Sequence, residues 1–158
     1  MKSVDLHVHS NKSDGTYAPS DLVTLALSKG LSAFALTDHD TTEGIDEALA
    51  AASAARMQGA DIEVIPGIEF STEYEGKDIH IVGIDIDYKS DVFQNYLKDF
   101  QESRDNRNRK MCLKLAEHGV DITYEEMLNE FPGRVLTRAH YATYLMKHGY
   151  VKSMVEAF

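Results

Sequence analysis

Cysteine is all but missing from this chain. Cys112 is the only one among 158 residues, so no disulfide can form within the chain and a reducing compartment is expected. Cys112 also lacks an activating neighbour in its stretch, which sets thiol chemistry aside. Positive charge is scarce too. Lys and Arg total 16 against 26 Asp and Glu, a formal net charge of -10. That balance argues against non-specific DNA or RNA binding and against a membrane surface as partner. A nucleotide substrate stays open, because bound metal ions reverse the charge of an acidic pocket. Long apolar runs are absent, so no segment is expected to span a bilayer. Met1-Lys2-Ser3-Val4-Asp5 lacks the apolar region of a secretion signal. With 43% hydrophobic residues, the chain is long enough for one domain with a real core, expected to be soluble and cytoplasmic.

What is present is histidine in company. Val4-Asp5-Leu6-His7-Val8-His9 alternates apolar and polar side chains, so as a strand it sets Asp5, His7 and His9 on one face. Two imidazoles two residues apart on a strand converge on one point, a geometry that grips a divalent metal. Taken alone, the pair reads slightly better as a half-buried strand with solvated histidines. The rest of the chain tips the balance.

A polar loop follows, with Asp14-Gly15 as its turn signal; Asp14 is either the turn residue or a metal ligand. Pro19 opens a helix that Gly30 closes, with Leu22, Leu25 and Ala26 inward. Ala33 to Leu36 then reads as an apolar strand of a parallel sheet. It runs into Asp38-His39-Asp40, three ionisable groups at a strand's C-terminal end. Thr42 is the expected N-cap of the next helix, which Gly59 ends. The third strand, Glu63 to Ser71, carries Glu69 between Ile68 and Phe70, where a buried carboxylate needs a partner or a metal. Glu75-Gly76 turns the chain into a fourth strand with His80 inside an apolar run. A two-residue turn pairs Ser71 with His80 and puts His80 on the face of Glu69; a three-residue turn puts it on the other face.

His7, His9, Asp14, His39, Glu69 and His80 thus gather at or just beyond successive strand ends, the end where parallel α/β barrels keep their chemistry. Nitrogen and oxygen donors without cysteine suit zinc, manganese or iron, and more than four imply more than one ion.

From Lys89 onward the character changes. Val92 to His118 reads as one long helix whose apolar stripe includes Leu97, Phe100, Met111 and Leu115. Arg104 and Arg107 fall in the middle of that stripe, where a guanidinium wants an anion, either a carboxylate or a substrate phosphate. Arg109 and Lys110 read as a solvated face. Thr123-Tyr124-Glu125-Glu126 is a capping box, and Thr137 is a candidate cap for a helix from Arg138 to His148. His118 and His148 each precede a glycine at a helix end and read as structural, while spacing leaves His140 ambiguous.

Asp5-Leu6-His7-Val8-His9-Ser10, Ser13-Asp14-Gly15, Thr37-Asp38-His39-Asp40-Thr41, Pro66-Gly67-Ile68-Glu69 and Ile79-His80-Ile81-Val82-Gly83 together resemble the PHP (polymerase and histidinol phosphatase) family. Arg104, Arg107, Thr137-Arg138-Ala139-His140 and the segment Ser153 to Phe158 are similar to one branch, bacterial phosphoesterases acting on nucleotides and short RNA. The resemblance implies an α/β fold, a distorted seven-stranded, TIM-like β/α barrel. Residues 1–88 would be its N-terminal part and residues 89–158 a helical insertion. It implies three divalent metal ions, with His7 and His9 on one and Glu69 bridging two. His80 would join the second, and Asp14 and His39 would hold the third. Arg104, Arg107, Arg138 and His140 are the implied phosphate-binding residues, with Asp38 and Asp40 behind the ligands.

The implied activity is phosphoester hydrolysis by metal-activated hydroxide. Its substrate would be a nucleoside 3′,5′-bisphosphate or a short RNA trimmed from its 5′ end. A histidinol-phosphate-type phosphatase is the alternative within the family, which the basic stripe and the insertion disfavour. A non-catalytic, metal-stabilised module is a third reading, disfavoured because all six expected N-terminal ligands are present. The family's late His-Pro and Asp-x-His segments have no counterpart before Phe158. The remainder of the barrel is therefore expected from further C-terminal residues or from a second chain.

Overall fold

The computed structural model describes residues 2–158. In chain order the elements are β1 (Ser3–Val8), α1 (Pro19–Ser28), β2 (Leu31–Leu36), α2 (Ile45–Met57), β3 (Glu63–Tyr74) and β4 (Lys77–Ile84). Helices follow: α3 (Asp91–Glu117), α4 (Tyr124–Glu130), α5 (Arg138–Lys147) and α6 (Met154–Ala157). Among the described residues four strands form one sheet in the order β1-β2-β3-β4. The first three are parallel and β4 returns antiparallel to β3. This is an α/β fold whose four strands form a curled, half-barrel sheet.

The sheet is held from one side by α1 and α2. Leu22, Val23 and Ala26 of α1 and Ile45, Ala48 and Ala52 of α2 bury against Phe34 and Leu36 of β2 and Val64 of β3. The larger of these side chains contribute about 1.5–3 kcal/mol each on leaving water. Ala33 to Leu36 are all buried, as a strand covered on both faces requires. By contrast, Val4 and Leu6 of β1 and Ile79 and Ile81 of β4 expose their apolar side chains at the two edges of the sheet. A second core holds the helical part together, with Cys112, Met127, Leu136, Tyr141 and Tyr144 at its centre.

Two details of the sheet set up the site. An added Cβ at Gly67 would come within 2.8 Å of Thr37 Cγ2 and 3.0 Å of the Leu36 carbonyl. Only glycine lets β3 pass this close to the end of β2. The hairpin turn is two residues long, with Glu75 (φ 51) and Gly76 (φ 74) both left-handed, the type I′ geometry that continues the twist of the strands. Ser71 therefore pairs with His80. One expectation fails: α2 starts at Ile45 with Gly44 at its cap, and not after Thr42. The Thr42 carbonyl instead accepts from Ile45 N–H, and the Thr41 hydroxyl accepts from Glu43 N–H, so a tight turn precedes the helix.

Candidate metal centre

Five side chains from four segments gather with the Glu69 carboxylate. His7 and His9 reach it from β1, with their Nε2 atoms 2.8 and 3.0 Å from Glu69 Oε2. His39 arrives from the end of β2, where an isolated bridge pairs it with Glu69, and its Nε2 lies 3.7 Å from the same oxygen. His80 comes across the hairpin, Nδ1 to Glu69 Oε1 at 2.7 Å. Asp14, from the loop after β1, stands 3.4 Å from His9 Nδ1 and 3.5 Å from His39 Nε2. The donor atoms fall into three overlapping triads, His7–His9–Glu69, His9–Asp14–His39 and His39–Glu69–His80, each within 4.8 Å. This nitrogen-and-oxygen set suits divalent zinc, manganese or iron. His39 shares one triad with Asp14 and another with Glu69 and His80, a more intermeshed grouping than one ion per pair of ligands.

The electrostatics favour ligation. Burial pushes the Glu69 carboxyl up, but hydrogen bonds from His7 and His80 and the charges of His39 and His9 outweigh it and hold the group below its ordinary range. His39 is pushed down, first by burial and then by His9 and Arg104, against the pull of Asp14 and Glu69. An ionised Glu69 carboxylate and a His39 imidazole disfavoured from protonation are the states in which these two groups bind a cation.

Behind the donors sits Asp38, buried, whose carboxylate accepts from Ser10 N–H at 2.7 Å, Ser10 Oγ at 2.6 Å and Ser13 Oγ at 2.6 Å. These bonds fold the loop that carries Asp14 back towards His9. Gly15 completes it, since a Cβ there would collide with the His9 carbonyl. Ser10 and Ser13 have no periodicity to betray them, and their burial is visible only in the folded loop.

A PHP domain model matches residues 5–149. The chain belongs to the PHP family. It is 40% identical over 157 residues to a 5′-3′ exoribonuclease of Haemophilus influenzae, covering 99% of this chain and 55% of the relative. It is 34% identical over 159 residues to a 3′,5′-nucleoside bisphosphate phosphatase of Chromobacterium violaceum, covering 100% and 54%. A solved structure described as a metal-dependent phosphoesterase from Bifidobacterium adolescentis matches with a TM-score of 0.85 at 27% identity, covering 99% and 54%. The chain spans about half the length of the relatives it matches.

In this PHP chain the two arginines of the α3 stripe have different surroundings. Arg104 is buried and its charge is taken by protein: Nε and Nη2 donate to Asp40, Nη2 also to Ser71 Oγ, and Nη1 to the Leu136 carbonyl at 3.0 Å. Asp40 in turn accepts from Ser71 N–H at 3.0 Å, and the Ser71 hydroxyl lies 3.4 Å from His39 Nδ1. Arg107 is half-buried. Among the described residues it forms no ion pair, and its Nε has no hydrogen-bond partner. Burial pushes its pKa down, and Arg104 and Arg138 add to the effect. Arg138, at the start of α5, pairs with Asp78 of β4 at 2.7 Å. Asp14, His39, His80, Arg107 and Arg138 line one cleft of about 160 Å³.

His140 lies deeper. It is buried, its Nδ1 accepts from Thr137 N–H at 3.0 Å, and a backbone hydrogen bond joins it to Ser13. It thereby caps α5 in the place a glutamate usually fills. Val135 N–H bonds the Lys12 carbonyl at 2.8 Å close by, so the segment before α5 clasps the loop that bears Asp14.

Proposed function

We propose that this chain carries the metal-holding and phosphate-positioning part of a phosphoesterase acting on nucleotides. The substrate would be a nucleoside 3′,5′-bisphosphate or the 5′ end of a short RNA. The observation that carries the reading is the shared cleft. Three of the six donors face the same space as Arg107, a guanidinium without a carboxylate of its own. The activities for which the Haemophilus and Chromobacterium relatives are named, an exoribonuclease and a bisphosphate phosphatase, support the substrate class.

His7, His9, Asp14, His39, Glu69 and His80 would hold the ions, three in a whole site of manganese, zinc or iron. When bound, the ions lower the pKa of water and draw charge from the phosphoryl oxygens. Asp38 fixes the loop of Asp14, Asp40 and Ser71 fix His39, and Arg107 and Arg138 receive the phosphate oxygens from the opposite side. Residues 1–88 act as the barrel part and residues 89–158 as a cap. The other strands of a seven-stranded barrel, and further ligands, would come from outside this sequence.

The test is incubation with Mn²⁺ and either adenosine 3′,5′-bisphosphate or 5′-phosphorylated trinucleotide RNA, using the chain within its full-length protein. Release of phosphate or of mononucleotide, abolished by EDTA and by Glu69→Gln, is the expected result. No release from either substrate overturns the reading.

A further inference from the structure

A larger groove of about 890 Å³ opens beside the metal cleft, between the β3–β4 hairpin and α3. The two share Ser71, Arg104 and Arg107, so a chain-like ligand held at the metals has this groove as its way out. Its charge is polarised along α3. Asp99 and Glu102 line it from the N-terminal half of the helix, and Glu73 and Asp78 line it from the hairpin, Asp78 being paired with Arg138. Arg107 and Lys110 line the C-terminal half. In sequence Lys110 belongs to the solvated face of α3; in the fold it stands on the groove wall. Arg107 and Lys110 are three residues apart on one helix, which sets their Cβ atoms about 5–6 Å from each other. Among the described residues neither forms an ion pair.

We propose that Arg107 and Lys110 form a two-step phosphate track. Arg107 takes the phosphate nearest the metals and Lys110 the next one along, so a short RNA leaves the site towards the C-terminal end of α3. Asp99, Glu102 and Glu73 disfavour the opposite direction, because a phosphodiester passing them would meet like charge. The proposal rests on the phosphoesterase reading and adds to it the direction of the strand and the residue that reads its second phosphate.

Binding at several salt concentrations tests this, with Ca²⁺ in place of the catalytic ion and fluorescence anisotropy as readout. The probes are a fluorescent nucleoside 5′-phosphate and fluorescent 5′-phosphorylated di- and trinucleotide RNAs. Lys110→Ala, an exposed change to a good helix former, is expected to weaken the two longer probes about 2- to 5-fold and leave the single-phosphate probe unchanged. It should also reduce the salt slope of the longer probes by about 0.7, one phosphate contact on a single strand. Arg107→Met is expected to weaken all three probes, and Glu102→Gln to weaken none. If the wild type binds the single-phosphate probe but Lys110→Ala leaves the longer ones unchanged, the track is overturned and the phosphoesterase reading stands. If the wild type binds none of the three, both fall.

Discussion

Arg104 and Asp40, 64 residues apart in the chain, form a buried ion pair where α3 crosses the end of the sheet. Asp40 adopts a left-handed backbone (φ 48) that a non-glycine residue rarely holds, and its carboxylate also accepts from Ser71 N–H. Removing Arg104 leaves that carboxylate buried without a counter-charge. Arg104→Ala is therefore expected to destabilise the fold by about 3–5 kcal/mol, measured by urea unfolding. A change below about 1 kcal/mol would show that Asp40 does not depend on the pair.

Arg107 should behave in the opposite way. Its guanidinium is half-buried, Nε is unpartnered and burial already disfavours its charge. Arg107→Met is expected to leave stability unchanged or slightly higher. Phosphoester hydrolysis should fall by the equivalent of about 2–4 kcal/mol in kcat/KM, the scale of a lost transition-state charge contact. Thermal unfolding and steady-state kinetics on the same preparation separate the two effects.

Asp38 touches no donor atom directly, yet it holds the loop on which Asp14 rides. Asp38→Asn weakens those bonds and is expected to lower metal affinity about 10–100-fold, as loss of a supporting partner typically does. Calorimetric titration with Mn²⁺ measures it. An unchanged affinity would mean that Ser10 and Ser13 hold the loop without it.

His140 supplies a pH dependence. Burial, foremost, pushes its pKa down to about 4 from an ordinary 6.5, with Asp14 and the backbone bond to Ser13 opposing. Between those values the unfolded chain binds more protons than the folded one. The neutral state's stability is thus fully present above about pH 6.5 and is lost as pH falls towards 4, by up to about 3 kcal/mol. His140→Asn should flatten this part of the profile when unfolding free energies at pH 7.5, 6 and 5 are compared with the wild type.

Local chemistry was legible in the sequence where it obeys a period or a turn rule. His7 and His9 share a face because strands alternate. His80 reaches Glu69 because Glu75-Gly76 closes in two residues, which the positive φ of both confirms. The start of α2 was misplaced because Thr42 has the right side chain for a cap while its backbone is used in the preceding turn. Arg104 and Arg107 look alike in sequence, both on the apolar stripe of one helix. What distinguishes them is a carboxylate 64 residues away, which no periodicity reports. Asn108, buried one turn after Arg104 and donating to the Leu136 carbonyl at 3.2 Å, has no sequence signal for the same reason. Lys110 is exposed, as its place on the helical wheel implies, and the groove it also lines is something no wheel shows.

The six candidate metal donors of this chain lie between residues 7 and 80, and the guanidiniums in the same cleft come from residue 104 onward. On the proposed reading, metal holding and phosphate contact within this chain therefore occupy consecutive, non-overlapping stretches of one polypeptide. What must be inherited together is the seam, Asp40 with Arg104, Lys12 with Val135 and Ser13 with His140. A chimera that breaks any of these should lose alignment of the two halves before it loses either one.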